Sequence, residues 1–354
     1  MKIPLRYWLL AIVPVTIAAH YAAPERHTLV FLLACLSMIP LARLLSDATE
    51  ELSKHTGATL GALLNVTFGN AGELVVGFFA MREGLHEVVK ASITGSILVN
   101  LLLSLGASML AGGLRHKTLT FNPFAARSRS TMLALAAISL VFPAAYRLLA
   151  TPNALGREAD LSLEFSVILL ITYGLGLLFM LKTHRCLVAA PESEREDERP
   201  HWGAAAAVAA LAISAGLIGW TGEILVGSLE ETARRFGLSD LFVGLVVVAI
   251  AGNAAEATSA VRAAMRNRMD LSVGIAIGSS IQVALFVAPA LVVASHWLAP
   301  RPLDLTFTPI ELLALVVAIG MTMQIAGDGE SNWLEGAQLI VVYLLLAVTV
   351  FTLG

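Results

Sequence analysis

Apolar residues run through this chain in blocks of roughly 18 to 28, and about 20 suffice to carry a helix across the hydrocarbon core of a bilayer. The pattern predicts eleven spanning helices, over approximately 7–22, 29–54, 58–82, 87–113, 131–150, 161–182, 203–229, 240–265, 271–298, 308–326 and 333–353. Turn signals separate them, among them Arg82-Glu83-Gly84, Asn122-Pro123, Thr151-Pro152-Asn153 and Asp328-Gly329-Glu330. No break is long enough to be a domain. Composition gives the same class: 57% of the 354 residues are hydrophobic and 14% charged, whereas a soluble domain carries about 25% charged residues. The mean hydropathy is +0.79. The fold class is therefore an all-α polytopic membrane protein. Tyr7 to Ala22 has the length of a signal-peptide core, but it lacks a clean small-residue cleavage site and a second span follows at once, so it reads as the first span.

Charge sets orientation and excludes some partners. The net charge of −3 is spread along the chain, leaving no basic patch for nucleic acid. Cys35 and Cys186 lie far apart and match neither a disulfide framework nor a zinc spacing. With the N-terminus inside, 15 of the 23 Lys and Arg residues fall in or beside cytoplasmic segments and eight outside, the bias that positive charge shows in membrane proteins. Between Pro191 and Pro200, five carboxylates (Glu192, Glu194, Glu196, Asp197, Glu198) and two arginines form an acidic segment that divides the chain. It reads as a solvated linker or as a cytosolic segment that gathers cations. The expected organisation is an N-terminal span over 1–28, a first repeat over 29–182, the acidic loop over 183–202 and a second repeat over 203–354.

The repeat is visible in polar residues. Phe68-Gly69-Asn70-Ala71-Gly72-Glu73 reappears 183 residues later as Ala251-Gly252-Asn253-Ala254-Ala255-Glu256, and at the same displacement Gly61 meets Gly244, Ala80 meets Ala263, Gly95-Ser96 meets Gly278-Ser279 and Leu102 meets Leu285. Five spans separate the two motifs. The third span therefore enters the membrane from one side and the eighth from the other, which is the inverted topology of secondary transporters.

Glu73 and Glu256 lie deep within apolar spans, where an ionisable group costs several kcal/mol unless paired, hydrated or neutralised. A buried carboxylate can hold a cation when ionised or carry a proton when neutral, so competition between a divalent cation and protons for this pair is exchange in its simplest form. Glu73 and Ser96 are equidistant from the turn at Gly84-Leu85, and Glu256 and Ser279 from that at Asn267-Arg268. In antiparallel helix pairs all four reach a similar depth. Gln282 follows Ser279 on the same helix face, and Asn100 follows Ser96. Gly69 and Gly252 can open a kink whose carbonyls face a polar cavity, and Asn70 and Asn253 can satisfy that backbone or coordinate directly. Carboxylates, carbonyls and amides are the oxygen set that hard cations such as Ca²⁺ take. No histidine lies in either motif, which disfavours zinc or copper.

These paired Gly-Asn-Ala-x-Glu motifs, each followed by Gly-Ser in the next span, and the acidic central loop resemble the calcium/proton antiporters of the calcium:cation antiporter superfamily. The resemblance covers nearly the whole chain. It implies one N-terminal span plus two inverted five-helix repeats and alternating access. It also implies Ca²⁺ and H⁺ as transported ions, with other divalent cations left open, no cofactor and no enzymatic activity. Glu73 and Glu256 become the shared cation and proton carboxylates. Gly69, Asn70, Gly252, Asn253, Ser96, Ser279 and Gln282 complete the metal site, with Asn100 a weaker candidate. The second and seventh spans become mobile gating helices carrying Asp47 and Glu230 as further weak candidates. Ala257 stands where many members have histidine, and Val99 where the other half has Gln282. The short N-terminal tail lacks the regulatory extension of plant members, which points to a prokaryotic cell membrane. A homo-oligomer stays open. The rivals are a sodium/calcium exchanger, whose motifs more typically put Thr-Ser and Pro around the acidic residue, a cation channel, and a membrane enzyme, for which no nucleophile-base set is visible.

Neutralising all five loop carboxylates should shift apparent cation affinity at low salt without stopping exchange, because exposed charges act through a screened field. Flux measured at two ionic strengths tests this: the shift shrinks at high salt, and complete loss of flux in a folded variant would contradict it.

Overall fold

The computed structural model describes residues 9–56, 64, 67–149, 156–179, 182 and 200–353. The acidic segment at 191–199, Gly61, Cys186 and the first half of the expected third span lie outside the described residues. Among the described residues the chain forms helices α1 (Ile12–Ala22), α2 (His27–Thr56), α3 (Ala71–Arg82), α4 (His86–His116), α5 (Pro123–Leu149), α6 (Glu158–Leu178), α7 (Ala204–Phe236), α8 (Asp240–Met265), α9 (Met269–Leu298), α10 (Pro309–Ala326) and α11 (Trp333–Leu353). Nine of them are long and apolar enough to cross a membrane, and α1 and α3 are shorter. Each expected span has its helix. The protein is thus an all-α multi-pass membrane protein.

α4 and α9 are the most enclosed, each with 72% of its apolar window buried, against 22% for α6 and α11. Side chains on α4 and α9 therefore face protein, and this is where Ser96, Asn100, Ser279 and Gln282 are carried. Both helices loosen into a π-helical stretch at matching places, Val99–Ser104 in α4 and Val283–Val287 in α9, and α8 does so over Val243–Val248. Such insertions re-aim the residues they contain and concentrate at functional sites.

The connections sort onto two faces. On the first face, the α4–α5 and α10–α11 connections pair as a two-residue antiparallel ladder, Leu119 with Ser331 and Thr120 with Glu330. His116 bonds the carbonyl of Met265 at 2.9 Å, and the Asn122 amide donates to Asp270 at 2.7 Å. On the second face, the His86 ring bridges the carbonyls of Gly84 and Arg301 at 2.9 and 3.0 Å. Beside it, the Lys90 ammonium donates to the carbonyl of Thr306 at 3.2 Å and pairs with Glu87 at 2.8 Å. Burial would raise the carboxyl pKa of Asp304 in the same connection, but bonds from Thr306 and the charge of Lys90 outweigh it and hold the group below the usual carboxylate range. α3 ends at the second face and α8 at the first, so the two motif helices run in opposite directions.

α2 and α7 pack along each other, and the Thr221 hydroxyl donates to the Met38 sulfur at 3.5 Å, between positions 183 apart. A residue touching its own repeat partner lies near the axis relating the halves. Elsewhere the halves differ. A Cβ on Gly95 would stand 2.4 Å from the carbonyl oxygen of Leu245, and one on Gly244 2.7 Å from the Cβ of Ala91, so α4 and α8 meet backbone to backbone. Gly278, the repeat partner of Gly95, has nothing within 4 Å.

This contrast is testable. Gly95→Ala should destabilise the protein by about 1–3 kcal/mol through overpacking, whereas Gly278→Ala should fold as well as the parent. Thermal unfolding in detergent reads both, and equal stability of the two variants would contradict the close approach.

Candidate functional site

The two repeats build the middle of the bundle differently. In the first, Gly69 lies in a turn and Asn70 has φ −112° and ψ 33°, so α3 begins only at Ala71 and Glu73 sits in its first turn. In the second, the expected opening at Gly252 is absent: Ala249–Met265 is continuous α-helix. An alanine-rich run favours helix, and the Asn253 side chain donates back to the Ala249 carbonyl at 2.8 Å. The bend expected at the glycine is replaced by the π-helical stretch before it.

α3, α4, α8 and α9 bring the motif residues together. A Cβ on Gly252 would stand 3.3 Å from Oε1 of Glu73, which places that carboxylate against the backbone of α8. One turn on, Glu256 faces the same cavity as Ser279 and Glu73 and lies within the electrostatic reach of Glu73. The Asn70 amide donates to Oε1 of Gln282 at 2.5 Å. The Asn253 amide donates to the Ser96 hydroxyl at 2.9 Å, and its oxygen accepts from Asn100 at 2.8 Å. Asn70, Asn100 and Asn253 are fully enclosed.

Three buried acceptor oxygens here receive no hydrogen bond: Oε2 of Glu256, Oδ1 of Asn70 and Oδ1 of Asn100. Orphaned buried acceptors are rare, and each calls for an explanation. Asn253 differs, since both ends of its amide are engaged. Of the two residues, Asn100 has the free oxygen and Asn253 holds Asn100 and Ser96 in place. Among the described residues no group of three or more His, Cys, Asp or Glu converges, so the donor set is two carboxylates with amide and hydroxyl oxygens, suited to a hard cation.

A cavity of about 450 Å³ reaches both carboxylates, Ser279 and Gln282, and runs to Asn122, Arg268 and Asp270 on the first face. Towards the second face, past Ser96 and Val248, the space beside Glu73 falls to about 10 Å³, about what one water-sized probe fills. The site is open to the first face and narrow toward the second, the side on which α4 and α8 meet at Gly95 and Leu245. Asp47 pairs with Arg43 at 3.0 Å, and Glu230 is exposed; neither lines the cavity. Two groups near the site were not singled out by sequence. The Arg129 guanidinium lies over Gly274, 3.2 Å from where its Cβ would stand, and the Tyr173 ring stacks on Phe286, one turn beyond Gln282 on α9. Neither belongs to a motif.

Inverted helices around a buried pair of carboxylates, reached from one face only, define a secondary cation transporter. The sodium/calcium exchanger protein family matches residues 26–182 and 206–352, and the chain belongs to that family. The Ca²⁺/H⁺ antiporter of Aphanothece halophytica is 40% identical over 363 residues, covering 98% of this chain and 95% of that protein. The Ca²⁺/H⁺ antiporter ChaA of Bacillus subtilis is 42% identical over 327 residues, covering 91% and 92%. The crystal structure of the selenium-substituted Ca²⁺/H⁺ antiporter YfkE superposes with a TM-score of 0.82 at 35% identity, covering 98% of this chain and 99% of that one.

Gly252→Ala should push the Glu73 carboxylate by a few tenths of an ångström, the extent of the 3.3 Å contact, and weaken divalent-cation binding about tenfold by analogy with other misplacements at preorganised sites. Titration calorimetry on the purified variant checks it, and unchanged affinity would place Glu73 elsewhere.

Proposed function

We propose that this protein exchanges Ca²⁺ for H⁺ across the bilayer by alternating access, with Glu73 and Glu256 holding the cation and the protons in turn. The observation that carries this reading is the meeting of the two glutamates, one from each repeat, beside unengaged amide oxygens at the blind end of a one-sided cavity. Two neighbouring carboxylates repel when both are ionised, and either a divalent cation or protonation relieves them. Occupancy by one ion therefore excludes the other. The names of the relatives above support calcium and protons as the ions.

Glu73, Glu256, Ser279 and the oxygens of Asn70 and Asn100 are the ligands in this reading, with the Gly69 and Gly252 backbones close by. Asn253 and Ser96 support them from behind, and Gln282, which faces the cavity, accepts from the Asn70 amide. With the N-terminus inside, as the distribution of Lys and Arg favours, the first face is cytoplasmic and the cavity is open to the cytoplasm of a prokaryotic cell. The repeats over 29–182 and 203–354 then exchange roles: separating α4 from α8 at Gly95 and Gly244 opens the outer side, while α9 closes over Gly278. α2 and α7, packed across the site, move as its gates.

Glu73→Gln and Glu256→Gln preserve size and remove titration, so each should abolish at least nine-tenths of calcium flux while the protein still inserts. In sodium-free proteoliposomes with an imposed pH gradient, wild-type calcium uptake should dissipate that gradient, and apparent affinity should rise between about pH 6 and 8, because each bound calcium displaces protons and linkage is reciprocal. Uptake that leaves the gradient intact, with flat affinity, rejects proton antiport in favour of sodium exchange or channel-like passage.

A further inference from the structure

We infer that Arg129 is a specificity-determining residue of the first-face vestibule, where its fixed positive charge raises a barrier to entering cations that grows with their valence. The inference rests on the reading of Glu73 and Glu256 as the cation carboxylates, and it concerns how a cation reaches them.

Arg129 is carried by α5, nearly two turns beyond the Pro123 that opens the helix. It lines the cavity together with Glu73, Glu256 and Ser279. Its guanidinium lies over Gly274 of α9: an added Cβ there would stand 3.2 Å from Nη1 and 3.5 Å from both Cζ and Nη2. The group thus rests on the helix backbone, in a seat that a side chain at position 274 would fill. Gly274 precedes Ser279 by about 7.5 Å along the helix axis. A cation moving from Asn122 and Asp270 at the mouth to Ser279 therefore passes this charge. Asp270 does not cancel it, because its carboxylate accepts from the Asn122 amide at 2.7 Å. Among the described residues no ion pair joins Asp270 to Arg129. Arg268 lines the same mouth, so two guanidinia stand against one carboxylate on the way in.

The second face is built with the opposite sign. Counted from the prolines that open α5 and α10, Pro123 and Pro309, Arg129 corresponds to Leu315. At the repeat displacement Arg268 corresponds to Leu85 and Asp270 to Glu87. α10 packs on α4 as α5 packs on α9, and the Thr94 hydroxyl donates to Glu311 at 2.8 Å. Lys90, the buried cation on that side, is paired with two carboxylates, Glu87 at 2.8 Å and Asp304 at 3.5 Å. One ammonium against two carboxylates there replaces two guanidinia against one here. A cation thus meets a repulsive field on the first face and an attractive one on the second. Water in the vestibule screens such a field without abolishing it. The energy scales with the charge of the ion, so a divalent cation feels the guanidinium twice as strongly as a monovalent one.

The test is a charge series at one position, Arg129→Lys, Arg129→Gln and Arg129→Glu, in sodium-free inside-out and right-side-out vesicles. Calcium uptake gives the half-saturating concentration, and block of that uptake by lanthanum gives a trivalent comparison. In one orientation, inside-out by the assignment above, Arg129→Gln should lower the half-saturating calcium concentration about fivefold and the blocking lanthanum concentration about tenfold, as a unit charge at this separation in a high-dielectric medium predicts. Arg129→Lys should match the parent, Arg129→Glu should exceed Arg129→Gln, and added salt should shrink every difference. In the other orientation the variants should match the parent. Arg129→Met, which keeps an unbranched stem over Gly274, takes the place of the glutamine variant if that one fails to insert. A lysine variant that behaves like glutamine, an effect of equal size for calcium and lanthanum, or an effect that survives high salt would assign Arg129 to packing and overturn the inference. Equal sensitivity in both orientations would overturn it as well. Glu256→Gln measured alongside separates the two readings: calcium uptake retained by that variant rejects the site and this inference with it, whereas its loss beside an unmoved Arg129→Gln rejects the inference alone.

Discussion

Two carboxylates share one enclosed space in the middle of the membrane, and the architecture around them answers that constraint. Among the described residues no ion pair with a lysine or arginine is recorded for Glu73 or Glu256, so an ionised pair gains relief from an ion that arrives from outside. Low dielectric makes the repulsion strong and the relief correspondingly large. A site made this way is unstable when empty and charged. That instability gives a transporter its reason to hold one ion or the other.

The neighbours of the pair are arranged so that they do not cancel this need. Amide groups turn their NH₂ ends toward each other or toward hydroxyls and carbonyls, as Asn70 does to Gln282 and Asn253 to Ser96 and Ala249. The oxygens of Asn70 and Asn100 are left over. Ser279 shares the cavity with Glu256, and a neutral hydroxyl can give way to a cation. Arg129 carries positive charge into the same cavity from α5 and stays over Gly274, one turn of α9 before Gly278.

Near-symmetry with one break gives the molecule its direction. α4 and α8 approach until backbone touches backbone at Gly95 and Gly244, whereas the repeat partner of Gly95, Gly278, faces open space. The same residue type serves both conditions because glycine tolerates contact and leaves room. The two faces are then held by different means: a two-residue ladder with the Asn122–Asp270 bond on one, and the His86 and Lys90 clusters on the other. These connections brace the helices that do not belong to the α2–α7 pair.

The sequence by itself determined the class, the number of spans, the inverted repeat and the pair of glutamates, because the bilayer imposes a length on apolar runs and a penalty on charge within them that composition alone reveals. It also carried Ser96, Ser279, Gln282 and both asparagines to one depth, since turns at Gly84-Leu85 and Asn267-Arg268 fix antiparallel register. Tertiary structure alone decided which oxygens are free. The unwinding expected at both glycines occurs at Gly69 and not at Gly252, and a π-helical stretch, which leaves no local signature, carries Asn100 to its bond with Asn253. Asn100 and Asn253 are both asparagines in the right helices, and only their mutual hydrogen bond separates the one with an unengaged oxygen from the one without. Asp47 and Glu230 matched in the repeat yet ended in an ion pair and at an exposed position. Tyr173 and Arg129 come from helices with no motif, so their place at the site follows from helix packing, which depends on side chains far apart in the chain.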